Sequence, residues 1–104
     1  MASKRWKSVE SYYCASLGGE RRGADYGGAD GGKNDCICEK YSVEIRHRQK
    51  VSFRDIVEQV NKAVERAEEG QIPLHIVHTP GTKLDDGLVV LRFSDFLKVS
   101  ENKE

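Results

Sequence analysis

The sequence predicts one mixed α/β domain with a mixed sheet, and three observations carry that expectation. The 104 residues suffice for one hydrophobic core and are too few for two. Aliphatic residues concentrate between Val43 and Leu97, where one core is expected to form. Within that stretch, strand-like runs at 41–46, 73–78 and 88–91 flank a helix-periodic segment at 52–69. The predicted order is α-(β)-β-β-α-β-β-α across residues 1–104.

The first helix is read at 4–17, where Trp6, Val9, Tyr13 and Leu17 recur at spacings of three and four to form one apolar stripe. Gly18-Gly19 should stop it. Residues 18–34 hold seven glycines and no branched aliphatic residue, which predicts a loop with room for a short strand near 20–24. Cys36-Ile37-Cys38 and residues 41–46 are β-prone runs separated by Glu39-Lys40, and together they predict a hairpin.

Ser52, with Asp55 three residues on, predicts a capped helix start. Ile56, Val57, Val60, Ala63, Val64 and Ala67 should form its buried face, with Gly70 ending it. The runs at 73–78 and 88–91 are continuously apolar enough to predict strands covered on both faces. A polar loop joins them over 79–87. Ser94 is expected to cap a last short helix containing Phe96 and Leu97, before a polar tail at 99–104.

Charge and cysteine content narrow the function classes. Lys plus Arg and Asp plus Glu both total 17, so net charge gives no sign of a polyanion partner. Residues 1–54 carry 11 basic against 7 acidic side chains, which marks that half as the likelier nucleic-acid face if one exists. No apolar run approaches the ~20 residues of a membrane span, and no membrane partner is expected. The start, Met-Ala-Ser-Lys-Arg-Trp-Lys, lacks the apolar stretch of a secretory signal. Three cysteines are an odd count with no disulfide framework, which suits a reducing cytoplasm. Cys14, Cys36 and Cys38 with His47 do not match zinc-ligand spacing and read as small buried hydrophobes.

Strand alternation places Tyr41, Val43 and Ile45 on one face, expected against the 52–69 helix. Ser42, Glu44, Arg46 and Arg48 then project the other way. Through the hairpin, Asp35 and Glu44 can converge on one divalent cation, and hard oxygen donors suit Mg²⁺ or Mn²⁺. The plain alternative is a turn aspartate followed by solvent-facing strand residues.

Asn34-Asp35, a nine-residue step, then Glu44-Ile45-Arg46 after an apolar strand resembles the PD-(D/E)XK nuclease motif. The flanking order is similar to the small Holliday-junction-resolvase-like endonucleases of phages and prophages. Those begin with a basic helix like Lys4-Arg5-Trp6-Lys7 that often carries a glutamate where Glu10 stands. A Gly-rich loop, the Asp strand, the Glu strand, a long helix and an apolar strand ending near a histidine, as at His78, follow in the same order. Residues 87–96 look like their closing strand and helix.

The resemblance implies a restriction-endonuclease-like core and Mg²⁺-dependent hydrolysis of DNA, with branched DNA as a candidate substrate, in a bacterial host cytoplasm. Asp35 and Glu44 would be metal ligands, with Arg46 and Glu10 beside them and Gln59 as an accessory residue that otherwise reads as a surface amide. Lys4, Arg5, Lys7, Arg21, Arg22, Arg48 and Lys50 would contact phosphates. Trp6, Tyr12 and Tyr26 are candidates to stack on bases. His75 and His78 end a strand near the site without a role assigned to either. Cutting a symmetric junction further implies a homodimer.

Two departures stand out. Asn34 takes the place of proline, at a position that shapes a turn. Arg46 replaces the motif lysine, and a permanently charged fork can clamp phosphate but exchanges protons poorly. The resemblance therefore leaves open a DNA-binding module with little cleavage, or a protein-interaction partner.

Overall fold

The computed structural model describes residues 2–22 and 33–101, with side chains from Ser8 onward. Its elements run α1 (Ala2–Ser16), β1 (Glu20–Arg21), β2 (Cys36–Ile37), β3 (Tyr41–His47), α2 (Phe53–Arg66), β4 (Ile72–His78), a 3₁₀ turn (Leu84–Asp86), β5 (Leu88–Val90) and α3 (Phe93–Glu101). The fold is mixed α/β. Its main sheet has the order β3-β4-β5, with β3 and β4 parallel and β5 antiparallel to β4.

Local chemistry explains the boundaries. Gly18 has φ +88°, and the Gly18 and Gly19 amides bond back to the Ala15 and Cys14 carbonyls, so α1 ends at the two glycines. The Ser52 hydroxyl accepts from the Asp55 amide at 3.1 Å, and the Asp55 carboxylate accepts from the Ser52 amide at 3.3 Å. That capping box stabilises the start of α2 by about 1 kcal/mol. β4 is buried along its whole length between its two neighbours. Pro73 is tolerated there because β5 pairs only with His75, Ile76 and Val77.

The two faces of β3 are the reverse of the expected arrangement. Val43 and Ile45 pack with Leu74 and Ile76 against Val9, Tyr13, Cys14 and Cys36, so the apolar core faces α1. The alternate face, carrying Ser42 and Glu44, lies under α2. There the Ser42 hydroxyl donates to the Ala63 carbonyl at 2.7 Å, satisfying one of the last carbonyls of that helix. The pleat fixes which residues share a face; it does not say which helix covers it.

Several other expectations are corrected. Cys36–Ile37 pairs with Glu20–Arg21 rather than with β3, so the hairpin does not form; β1 and β2 make a separate two-stranded sheet. Cys14 and Cys36 are joined in a disulfide, while Cys38 is a free thiol. The bond staples α1 to β2 and removes the argument for a reducing compartment drawn from the cysteine count. Val57 is exposed, and the buried face of α2 is Gln59, Val60 and Ala63. Ser94 lies inside α3 rather than capping it, and α3 continues to Glu101 through residues expected in the tail. β5 is an exposed edge strand and is not covered on both faces. No helix among the described residues is long and apolar enough to cross a membrane.

Candidate metal centre

Asn34 builds the turn that presents Asp35. Its buried side-chain oxygen accepts from the Cys36 amide at 3.1 Å, and its amide donates to Ser42 Oγ at 3.2 Å. Asp35 is thereby laid along the free edge of β3. Its amide donates to the Val43 carbonyl at 2.9 Å, and its Oδ2 accepts from the Ile45 amide at 2.8 Å. Asn34 thus shapes the turn through its own side-chain hydrogen bonds.

Glu44 projects from β3 next to this carboxylate, with 4 % of its surface exposed. Burial pushes its pKa up from 4.5 to about 7, and the Asp35 charge adds to the rise. Asp35 is likewise raised, chiefly by burial. Against this stand the Ile45 amide and three cations: Arg66, Arg46 and Lys62 all favour the ionised form of Asp35. Arg66 donates to Glu44 Oε2 at 3.2 Å and to the Lys33 carbonyl at 3.4 Å. A buried and a half-buried carboxylate thus lie together, with positive charge from β3 and α2 around them.

Glu10 lies on α1, buried, and is held by Arg21 Nε at 2.7 Å. Burial raises its pKa, the Arg21 hydrogen bond opposes that, and the Asp35 charge raises it further, so Glu10 faces the same cluster. Arg21, expected on phosphate, is spent on Glu10. Arg22 donates to the Asn34 and Cys36 carbonyls at 2.7 and 3.1 Å and so braces the Asp35 turn. Arg48 and Lys50 are exposed beyond the end of β3. The side chains of Lys4, Arg5, Trp6 and Lys7, and the whole of Tyr26, lie outside the described residues. The Tyr12 hydroxyl donates to Asp85, away from the carboxylates.

Gln59 is buried on the site-facing side of α2, contrary to its reading as a surface amide. Lys62 and Arg66 follow it at three and seven residues along the same helix face. Neither cation was singled out from the sequence, although helical periodicity from Gln59 leads to both.

The histidines separate into two roles. His75 lies on β4 beside Glu44, fully buried, and its Nδ1–H donates to the Glu44 carbonyl at 2.9 Å. Burial lowers its pKa, the nearby Arg46 charge lowers it further, and its Nε2 has no partner among the described residues. His47 and His78 stack on the opposite sheet face with ring centroids 4.8 Å apart. The Thr82 carbonyl accepts from His78 Nε2–H at 2.9 Å, so His78 Nδ1 accepts from His47 Nδ1–H at 2.7 Å.

The donor set suits a hard cation. Asp35 uses one oxygen on the Ile45 amide, and Glu44 uses one on Arg66. Among the described residues no three His, Cys, Asp or Glu side chains form a metal-holding group. A cation here would rest on Asp35 and Glu44 and complete its shell with water and substrate oxygens, as Mg²⁺ commonly does. The chain matches no protein-family model, no curated protein and no solved structure.

Proposed function

We propose that the chain is a Mg²⁺- or Mn²⁺-dependent endonuclease with a restriction-endonuclease-like core that hydrolyses phosphodiester bonds in DNA, branched DNA being a candidate substrate. One observation carries this reading above the others. Glu44 is buried against the half-buried Asp35; burial raises both pKa values, and the Asp35 charge raises that of Glu44 further. Such an arrangement costs stability in the free protein and is relieved when a cation is bound between the two.

When bound, the metal would supply an activated water and neutralise charge growing on the phosphate. The remaining work falls to the chain. Arg46 and Lys62 hold the phosphate by charge. Arg66, which pairs with Glu44 at 3.2 Å, would add a positive group where negative charge grows on the phosphate in the transition state. Glu10 and Arg21 fix the α1 side of the site. Two chains, each with one site, would divide the strands of a symmetric junction between them.

The Arg66–Glu44 contact favours a second reading. It satisfies Glu44 without any metal, and Arg46 stands where a lysine is expected. A nuclease-like domain that binds DNA, or a protein, and cleaves little would look the same. Labelled four-way junction and matched duplex, incubated with Mg²⁺, Mn²⁺ or EDTA, separate the readings. Metal-dependent cleavage is the expected result. Retention without cleavage in any metal supports the binding module, and neither retention nor cleavage removes both DNA readings.

A further inference from the structure

Apolar side chains gather at the β5 edge of the sheet, opposite the β3 edge where the carboxylates sit. Phe53 is 79 % exposed, Phe93 73 %, Leu88 65 %, Val89 56 %, Phe96 50 % and Leu97 42 %. Phe93, Phe96 and Leu97 share one face of α3 at spacings of three and four. A groove of about 200 Å³ between the start of α2 and the end of β5 joins Phe53 and Val57 to Val90 and Leu91. Together the six side chains leave roughly 650 Å² in water, close to the ~800 Å² that each partner contributes to a stable interface.

We infer that this face is the two-fold contact of a homodimer, in which β5 pairs antiparallel with β5 of a second copy and α3 and Phe53 close over the join. β5 pairs with β4 on one side only, and nothing from Gly87 to Leu91 carries the charge or proline that ordinarily protects an edge. An uncharged strand edge is complementary to itself when two copies run antiparallel. Charge at the strand ends agrees. A register centred on Val89 brings exposed Asp86 of one copy towards Arg92 of the other, whereas parallel pairing would set like charges together. The strand offers no cation to a phosphate, so a nucleic acid does not fit it.

The contact does not depend on the nuclease reading, and the two can fail separately. If both hold, the sheet becomes six-stranded with the β3 strands at its ends, about 24 Å apart at ~4.8 Å per strand. The two carboxylate sites then lie at opposite outer edges.

Sedimentation velocity of the full chain from about 1 to about 300 µM should show a monomer–dimer equilibrium. Val89→Lys, which sets two like charges across the axis, should weaken it by about a hundredfold or more while circular dichroism stays unchanged. Phe93→Ser should weaken it less. In the unmodified chain, amide exchange over 88–91 should slow as concentration rises, and this readout decides the matter if a variant does not fold. A strict monomer at the highest concentration overturns the inference. So does a dimer untouched by a folded Val89→Lys chain, or exchange over 88–91 that ignores concentration.

Discussion

Glu44→Gln should make the metal-free protein more stable at pH 8 while abolishing its proposed chemistry. Folding moves the Glu44 pKa from 4.5 to about 7, so the folded chain holds this proton more tightly than the unfolded one. Below pH 4.5 both states are protonated and the carboxyl carries no penalty. As pH rises the unfolded state ionises first and stability falls, until above about pH 7 the whole cost is present. At 1.36 kcal/mol per pH unit, that cost is about 3 kcal/mol. Glutamine keeps the shape and cannot ionise, and the Arg66 ion pair is already contained in that shift. The gain at pH 8 is therefore about 3 kcal/mol, or on the order of 15 °C in Tm for a domain of this size. Urea titrations of both proteins at pH 5 and pH 8 in EDTA measure it. Asp35 and Glu10 are raised in the same direction, so the variant keeps a shallower decline of its own. Adding Mg²⁺ at pH 8 should then stabilise the wild type and leave the variant unmoved. A variant less stable than wild type at pH 8 would refute the reasoning, since Glu44 would then be a structural ion-pair partner rather than a strained ligand.

Reducing the Cys14–Cys36 disulfide, or changing Cys14 to Ser, should cost about 3 kcal/mol, from the 22-residue separation that it closes; denaturant midpoints with and without reductant measure this, and unchanged midpoints would count against a formed bond. Arg66→Ala strips Glu44 of its partner, so the metal-free chain should lose about 1–3 kcal/mol at pH 8 and little at pH 4; equal losses at both pH values would show that packing, not charge, is what Arg66 supplies. If the junction is cleaved, Arg46→Ala should slow single-turnover cleavage by roughly 10²–10³-fold, and Arg46→Lys should match or exceed the wild type. Equal rates for all three chains would place the chemistry elsewhere.

What the sequence disclosed, and what it withheld, follows from the range of each signal. α2 and its cap were legible because Ser52 and Asp55 act over one turn and the apolar period repeats along the segment. β4 was legible because every residue in it is buried. β5 carries the same kind of apolar run and lies exposed, since composition does not say how many neighbours a strand acquires. The β3 faces were read with the right membership and the wrong partners. Alternation separates Val43 and Ile45 from Ser42 and Glu44, but the choice between α1 and α2 is made by the chain crossing from β3 through α2 to a parallel β4. Cys14–Cys36 joins a helix to a strand across the glycine-rich stretch, a pairing that no spacing rule announces. Asp35 and Glu44 could be named from their order along the chain. Arg66 follows from Gln59 by the helical period, but its contact with Glu44 does not, because that depends on where the last turn of α2 meets β3.

That meeting explains how a costly cluster is sustained. The α1 side of the sheet is apolar and cross-linked, with Val43, Ile45, Leu74 and Ile76 packed on Val9, Tyr13 and the Cys14–Cys36 bond. The α2 side holds Ser42, Glu44, Gln59 and His75 in burial, and hydrogen bonds replace much of the apolar contact there. Burying polar groups in this way returns little net stability even when they are satisfied. The fold must therefore rest on its α1 side. Removing methyl groups there, as in Val43→Ala, should cost the couple of kcal/mol expected of a filled core position. Removing the buried carboxylate charge on the α2 side, as in Glu44→Gln, should add stability. A sheet with one face given to cohesion and the other to charged groups can carry two like charges in close company, since the strain falls where the structure depends on it least.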